Sequence, residues 1–306
     1  MRLAAMRESS STASRLALPA LLLANCSLAC APWLVRLSET QAHVGPIGSA
    51  FWRMALSLPF LIAARPVARE KLPERPFPFV AAAAFGGALF AAQLAAWYAG
   101  ILHTRMSNAT LFGNLAAILF PIYGFIAARS WPRPRQWLAL GLAIAGTAIL
   151  LGRSYELTAG NLLGDILSIA AGICYSLYLF AVDRARRMLG PLTALTITVA
   201  AAAPAAFLIA RAFHDPIVPA DWTPVILMAI SCQLVGQGLI LWSVGRASAL
   251  LVGLMLLVQP IVAACIGMAV YGESITLADL VGAAGIAAAI LLVREKALPP
   301  ARERVV

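Results

Sequence analysis

The sequence predicts an all-α membrane protein of ten transmembrane helices, arranged as two inverted five-helix repeats. Three observations carry that prediction. Apolar runs long enough to cross a bilayer recur ten times, Lys and Arg alternate between the loops that join them, and a weak internal similarity relates the two halves. With 61% hydrophobic and 12% charged residues and a mean hydropathy of +0.86, the chain is far from the ~25% charged residues of a soluble domain.

The first run, 16–35, follows Arg2, Arg7 and Arg15. It is longer than a signal-peptide core, and Asn25 before Cys26 disfavours lipoprotein cleavage, so it is read as a span with cleavage as the alternative. The second, 46–64, ends at Arg65-Pro66, and the third, 77–99, follows Pro73-Glu74-Arg75-Pro76. The fourth, 106–128, and fifth, 136–152, are separated by Trp131-Pro132-Arg133-Pro134. The sixth, 162–182, opens on Gly164-Asp165, and the seventh, 191–210, stops before Asp215-Pro216. Runs 223–244, 247–270 and 277–293 complete the set. At 1.5 Å per residue such runs match ~30 Å of hydrocarbon, and the intervening prolines remove donors and end helices.

With the N-terminus in the cytoplasm, 18 of the 23 Lys and Arg fall inside. Only Arg36, Arg105, Arg153 and Arg211 fall outside, and Arg53 lies within a span. One helix too many or too few would invert every later loop and erase this bias. Residues 1–15 and 294–306 are therefore expected to be cytoplasmic tails of a multi-pass protein of the plasma membrane, in a bacterium the inner membrane. The net charge of +10 follows from topology, and no nucleic-acid partner is expected. The expected partners are a small-molecule substrate, the lipid bilayer and, for the assembly, a second copy in a homodimer.

The internal similarity has an offset of about 139 residues: Ala109-Thr110-Leu111 with Pro121 aligns with Ser248-Ala249-Leu250 with Pro260. A shift of 140 pairs Gln93 with Gln233 and Trp97 with Gln237. The repeats are 16–152 and 162–293. Five spans being an odd number, the second repeat must be inverted in the membrane, as in secondary transporters whose sites lie at the repeat interface.

Four stretches extend the reading: Phe51-Trp52-Arg53, Ser107-Asn108-Ala109-Thr110-Leu111 with Pro121, Gly164-Asp165, and Pro260 followed by Tyr271-Gly272-Glu273-Ser274 and Gly282. On these the chain resembles the drug/metabolite transporter superfamily, in particular its ten-helix EamA-type members, over about residues 16–293. It departs from them after the fourth span, where Arg129-Ser130-Trp131-Pro132 replaces a Gly-Glu pair. The resemblance implies a transporter of small organic metabolites, with export of an amino acid or a related compound the leading expectation. Import of a vitamin, nucleoside or S-adenosylmethionine-like compound is the alternative. A polytopic membrane enzyme or a non-transporting subunit is the competitor from another class.

Arg53 is the only charge deep in a span, where an ionisable residue is functional by default. Two readings stand side by side: a bidentate anchor for a substrate carboxylate, or a strut paired with helix carbonyls or Glu273. Gln93 with Trp97, and Gln233 with Gln237, stand four apart and so share a helical face. They line a neutral pocket or bridge helices. Asn25, Asn108, Thr110, Asn114, Tyr175, Tyr178 and Trp242 complete the substrate-binding candidates, the tyrosines as stacking surfaces. Glu273 and Asp165, near the outer side, are the gate or coupling candidates, with helix-end capping as the alternative.

Cys26, Cys30, Cys174, Cys232 and Cys265 lie in apolar runs without metal spacing, and His43, His103 and His214 lie near span ends, so no metal or cofactor is expected. No HExxH, GxSxG or acyltransferase pattern occurs, and no catalytic residue is assigned.

Overall fold

A computed structural model describes residues 2–68, 70, 72–104, 109, 112–152, 159–271 and 276–294. Among the described residues, helices occupy parts of all ten predicted runs. The first span, Leu16–Thr40, lies on two helices, Arg2–Ala29 and Ala31–Thr40, meeting at Cys30. Pro32 causes the break, because its ring excludes the hydrogen bond and the space that a continuing helix needs. The next four are Pro46–Ala68, Phe77–His103, Ala116–Ala127 and Pro134–Gly152. Leu162–Leu189 and Pro191–Ala212 form the sixth and seventh.

The eighth span is interrupted: Thr223–Met228, a π-helical stretch Ala229–Gln237, then Gly238–Ser243. The ninth runs as Ala249–Leu256 and Val258–Tyr271, and the tenth as Leu277–Arg294. Among the described residues seven spans are long and apolar enough to cross a membrane on their own count. The fourth and tenth appear there as shorter apolar helices. Large side chains such as Phe60, Phe85 and Leu208 stand outward, which only a lipid solvent tolerates in such number.

The packing is two-fold. The third span packs on the sixth and seventh, and the eighth packs on the first and second. The fourth meets the sixth as the ninth meets the first. Second with seventh, fourth with ninth, and fifth with tenth are the pairs that map onto themselves. Exchanging spans one to five for six to ten thus preserves the contact pattern, and with five crossings per half the exchange also inverts the chain across the membrane. Backbones come very close at these crossings. A Cβ on Gly87 of the third span would lie 2.3 Å from the Thr198 carbonyl oxygen of the seventh, so only glycine fits.

The loop after the seventh span folds over the start of the second. Asp215 accepts the Gly48 N–H at 2.7 Å, and the Trp52 indole donates to the Ile217 carbonyl at 2.6 Å. Burial pushes the Asp215 carboxyl up from its ordinary value, and the Gly48 and Ile47 amides pull it back.

Candidate functional site

Arg53 projects from the second span into the bundle and is 3% exposed. Its Nε donates to Gln233 Oε1 at 3.0 Å and its Nη2 to the Cys232 carbonyl at 3.3 Å, both on the π-helical stretch. The guanidinium also lies 5.5 Å from the centre of the Phe90 ring. Among the described residues no carboxylate pairs with it. Close by, the Tyr98 hydroxyl and the Gln233 amide nitrogen are buried without hydrogen-bond partners. The Gln233 amide nitrogen is a donor beside a cation and lacks an acceptor, whereas the Tyr98 hydroxyl, which can donate or accept, faces the Arg53 guanidinium.

One face of Arg53 borders a cavity of about 240 Å³. Gln93, Trp97, Asn114, Tyr175 and Gln237, all expected from the sequence, line it as well. Tyr175 stacks on Tyr178, and Phe90 on Tyr178, with ring centres 5.7 and 4.8 Å apart. The Trp97 indole donates to the Ala109 carbonyl at 3.3 Å, which fixes its ring as a wall. Among the described residues the lining is mostly apolar, with amides, aromatic rings and two arginines set into it and no carboxylate.

The cavity opens at the end where the first span finishes and the second begins. Trp33, Arg36 and Ile266 border it there, and Arg36 is exposed. At the opposite end the bundle is sealed. Tyr123 stacks on Phe180 at 4.0 Å, and Ile240, Leu241, Leu250 and Leu254 are buried around them.

Several candidates stand elsewhere than expected. Asn25, Tyr178 and Gln233 are fully buried one layer behind the wall and hold it in place. Asn25 accepts from Gln259 at 2.8 Å and donates to the Leu21 carbonyl, while Tyr178 accepts from Gln237 at 3.0 Å. Trp242 lies beyond the seal and outside the cavity lining, with Arg246 stacked on it at 4.4 Å. Asp165, a gate or coupling candidate, is 3% exposed, stands outside the cavity lining and accepts from Thr104 at 2.7 Å. Asn108, Thr110 and Glu273 lie outside the described residues, and with Glu273 the expected Arg53–Glu273 contact.

Arg36, Phe90 and Trp33 were missed. Phe90 stands three residues before Gln93 and seven before Trp97, a helical face that the polar pair already defined. The apolar run stops at 35, which puts Arg36 in a loop by sequence, whereas the helix continues to Thr40. Trp33, one turn before it, reads from sequence as a plain interfacial anchor.

No curated protein matches the sequence. A solved structure titled "Crystal structure of protein" superposes with a TM-score of 0.72 over 92% of this chain and 96% of that one, at 16% identity, which shows a shared fold. The EamA-like transporter family matches residues 16–152 and again 162–294. With both halves matched, and both contributing to the lining of one cavity, the chain belongs to the EamA-like transporter family and is a multi-pass membrane transporter.

Proposed function

We propose that the protein exports a small zwitterionic or anionic metabolite, an amino acid or a related compound, by alternating access across the plasma membrane. The observation that carries this reading is the buried Arg53 facing a cavity of about 240 Å³ whose described lining holds no carboxylate. A guanidinium held on one side by Gln233 and the Cys232 carbonyl keeps its other N–H groups for a second acceptor. A substrate carboxylate is the group that answers both the charge and the fork. Aromatic rings and amides around it suit the rest of an amino acid, the rings taking an apolar side chain and Gln93, Asn114 and Gln237 its polar atoms.

The Lys and Arg bias orients the open mouth outward, with both tails in the cytoplasm. The conformation is then the outward-open one, and the aromatic seal is the closed inner gate. Counterflow of labelled amino acids in proteoliposomes tests the reading. Exchange of amino acids and failure of the matching amines, which lack the carboxylate, is the expected result. Equal exchange of the amines overturns the carboxylate anchor, and conversion of a solute to a product in place of exchange overturns transport.

A further inference from the structure

The second and seventh spans begin alike, with Gly45-Pro46 and Gly190-Pro191, 145 residues apart. At each start a carboxylate arrives from the other half of the chain. Asp215, in the loop after the seventh span, accepts the Gly48 N–H at 2.7 Å. Glu70, in the loop after the second span, accepts the N–H of Leu192 at 3.1 Å and of Thr193 at 2.7 Å. The two contacts are therefore reciprocal: each span of the pair is held by the loop that follows its partner. Carboxylates on free N–H groups at a helix start are favourable for both charge and hydrogen bonding.

Both glycines are required by these contacts. A Cβ on Gly45 would fall 2.2 Å from the Asp215 carboxylate, and one on Gly190 2.4 Å from that of Glu70. The first clasp is reinforced by Gly45 N–H donating to the Pro216 carbonyl at 2.8 Å, Ala220 N–H to that of Ala42 at 2.8 Å, and Trp52 packed edge-on against Trp222 at 4.7 Å. Along the length between the clasps the two spans pack directly on one another.

The clasps lie at opposite ends of the bundle, and both are closed in one conformation. The Asp215 clasp stands at the end where the cavity is open beside Arg36, so it is not a lid on that mouth. Exchanging the halves converts the outward-open arrangement into the inward-open one and turns the Asp215 clasp into the Glu70 clasp. By that symmetry the Glu70 clasp stays closed when the cavity opens to the other face.

We infer that the second and seventh spans, clasped at both faces, stay together through the whole cycle and form the post against which the remaining helices rock. This inference rests on the alternating-access reading. It assigns to Asp215 and Glu70 a positioning role: they hold the helix that carries Arg53 at a fixed depth while the cavity walls change sides.

The test locks one clasp. In a background with the five native cysteines replaced by serine or alanine, A42C/A220C is joined by oxidation across the Asp215 clasp. No loss of amino-acid counterflow on oxidation is the expected result. Flux that vanishes on oxidation and returns on reduction overturns the post while leaving transport intact. Absence of flux in the reduced protein bears on the transport reading alone. A second measurement then judges the post without flux: spin labels at Q41C and V218C, both exposed, report one unchanged distance with and without added amino acid. Two populated distances overturn it.

Discussion

The second and seventh spans are equivalent in the frame and different in the site. Each starts with Gly-Pro, each is held by a carboxylate from the other half, and they pack against one another. Eight residues past each glycine the equivalence ends: the second span carries Arg53 and the seventh carries Thr198. Thr198 donates to the Ala83 carbonyl of the third span at 3.2 Å and is fully buried, a polar group with its partner found within the frame. Arg53 reaches the eighth span and still borders the cavity. Repeat symmetry supplies the scaffold, and the chemistry sits where one repeat departs from the other.

The largest expected effect follows from that departure. Arg53→Ala should lower amino-acid flux by ~30-fold or more, since losing a buried charged anchor costs about 2 kcal/mol at the least. Arg53→Lys should recover only part of it, because the ammonium cannot reproduce the fork. Thr198→Val should cost ~1 kcal/mol of stability through one lost hydrogen bond and leave flux unchanged. Equal flux losses in the two variants, each measured in proteoliposomes at matched protein content, would erase the distinction between frame and site.

The clasps give the next largest effect, this time on stability. Gly45→Ala and Gly190→Ala both drive a methyl into a carboxylate, so both should lower the apparent melting temperature. Gly190 should suffer more. Its φ of +80° with ψ of 158° adds ~1–3 kcal/mol of backbone strain for any other residue, and Gly45 carries no such term. Asp215→Ala should relieve Gly45→Ala by removing the group it strikes, and should do nothing for Gly190→Ala. A reversed order of the two glycines in a thermal melt, or relief of both by Asp215→Ala, would show that the clasps are not separate contacts.

What the sequence made legible differs between these same regions. Hydropathy and loop charge placed the spans, because bilayer thickness acts on every helix in the same way. Arg53 stood out because a charge inside an apolar run is rare. The carboxylate clasps were not legible, since Asp215 and Glu70 are ordinary loop acids whose partners lie more than a hundred residues away. The repeated Gly-Pro is the available signal, at an offset of 145 residues and not the 139 that relates the other repeat positions. The π-helical stretch was hidden too. A four-residue spacing placed Gln233 and Gln237 on one face, yet one holds Arg53 and the other pairs with Tyr178 and meets the cavity.

The smallest expected effects separate two tryptophans that the sequence ranked together. Trp97, in the third span, borders the cavity and donates to the Ala109 carbonyl, so Trp97→Phe removes both a wall and its anchor. One buried hydrogen bond is worth ~1 kcal/mol, which corresponds to about a fivefold loss of apparent substrate affinity with little change in maximal rate. Trp242, in the eighth span, sits beyond the aromatic seal with Arg246 stacked on its ring and donating to its carbonyl. In Trp242→Phe the carbonyl contact survives and the ring contact only weakens, at ~0.5–1 kcal/mol, so stability should slip slightly while affinity stays put. Concentration-dependent counterflow on the two variants reads the difference directly. An affinity loss for Trp242→Phe as large as that for Trp97→Phe would mean that substrate contacts the far side of the seal, and that the cavity beside Arg53 is one station on a longer path.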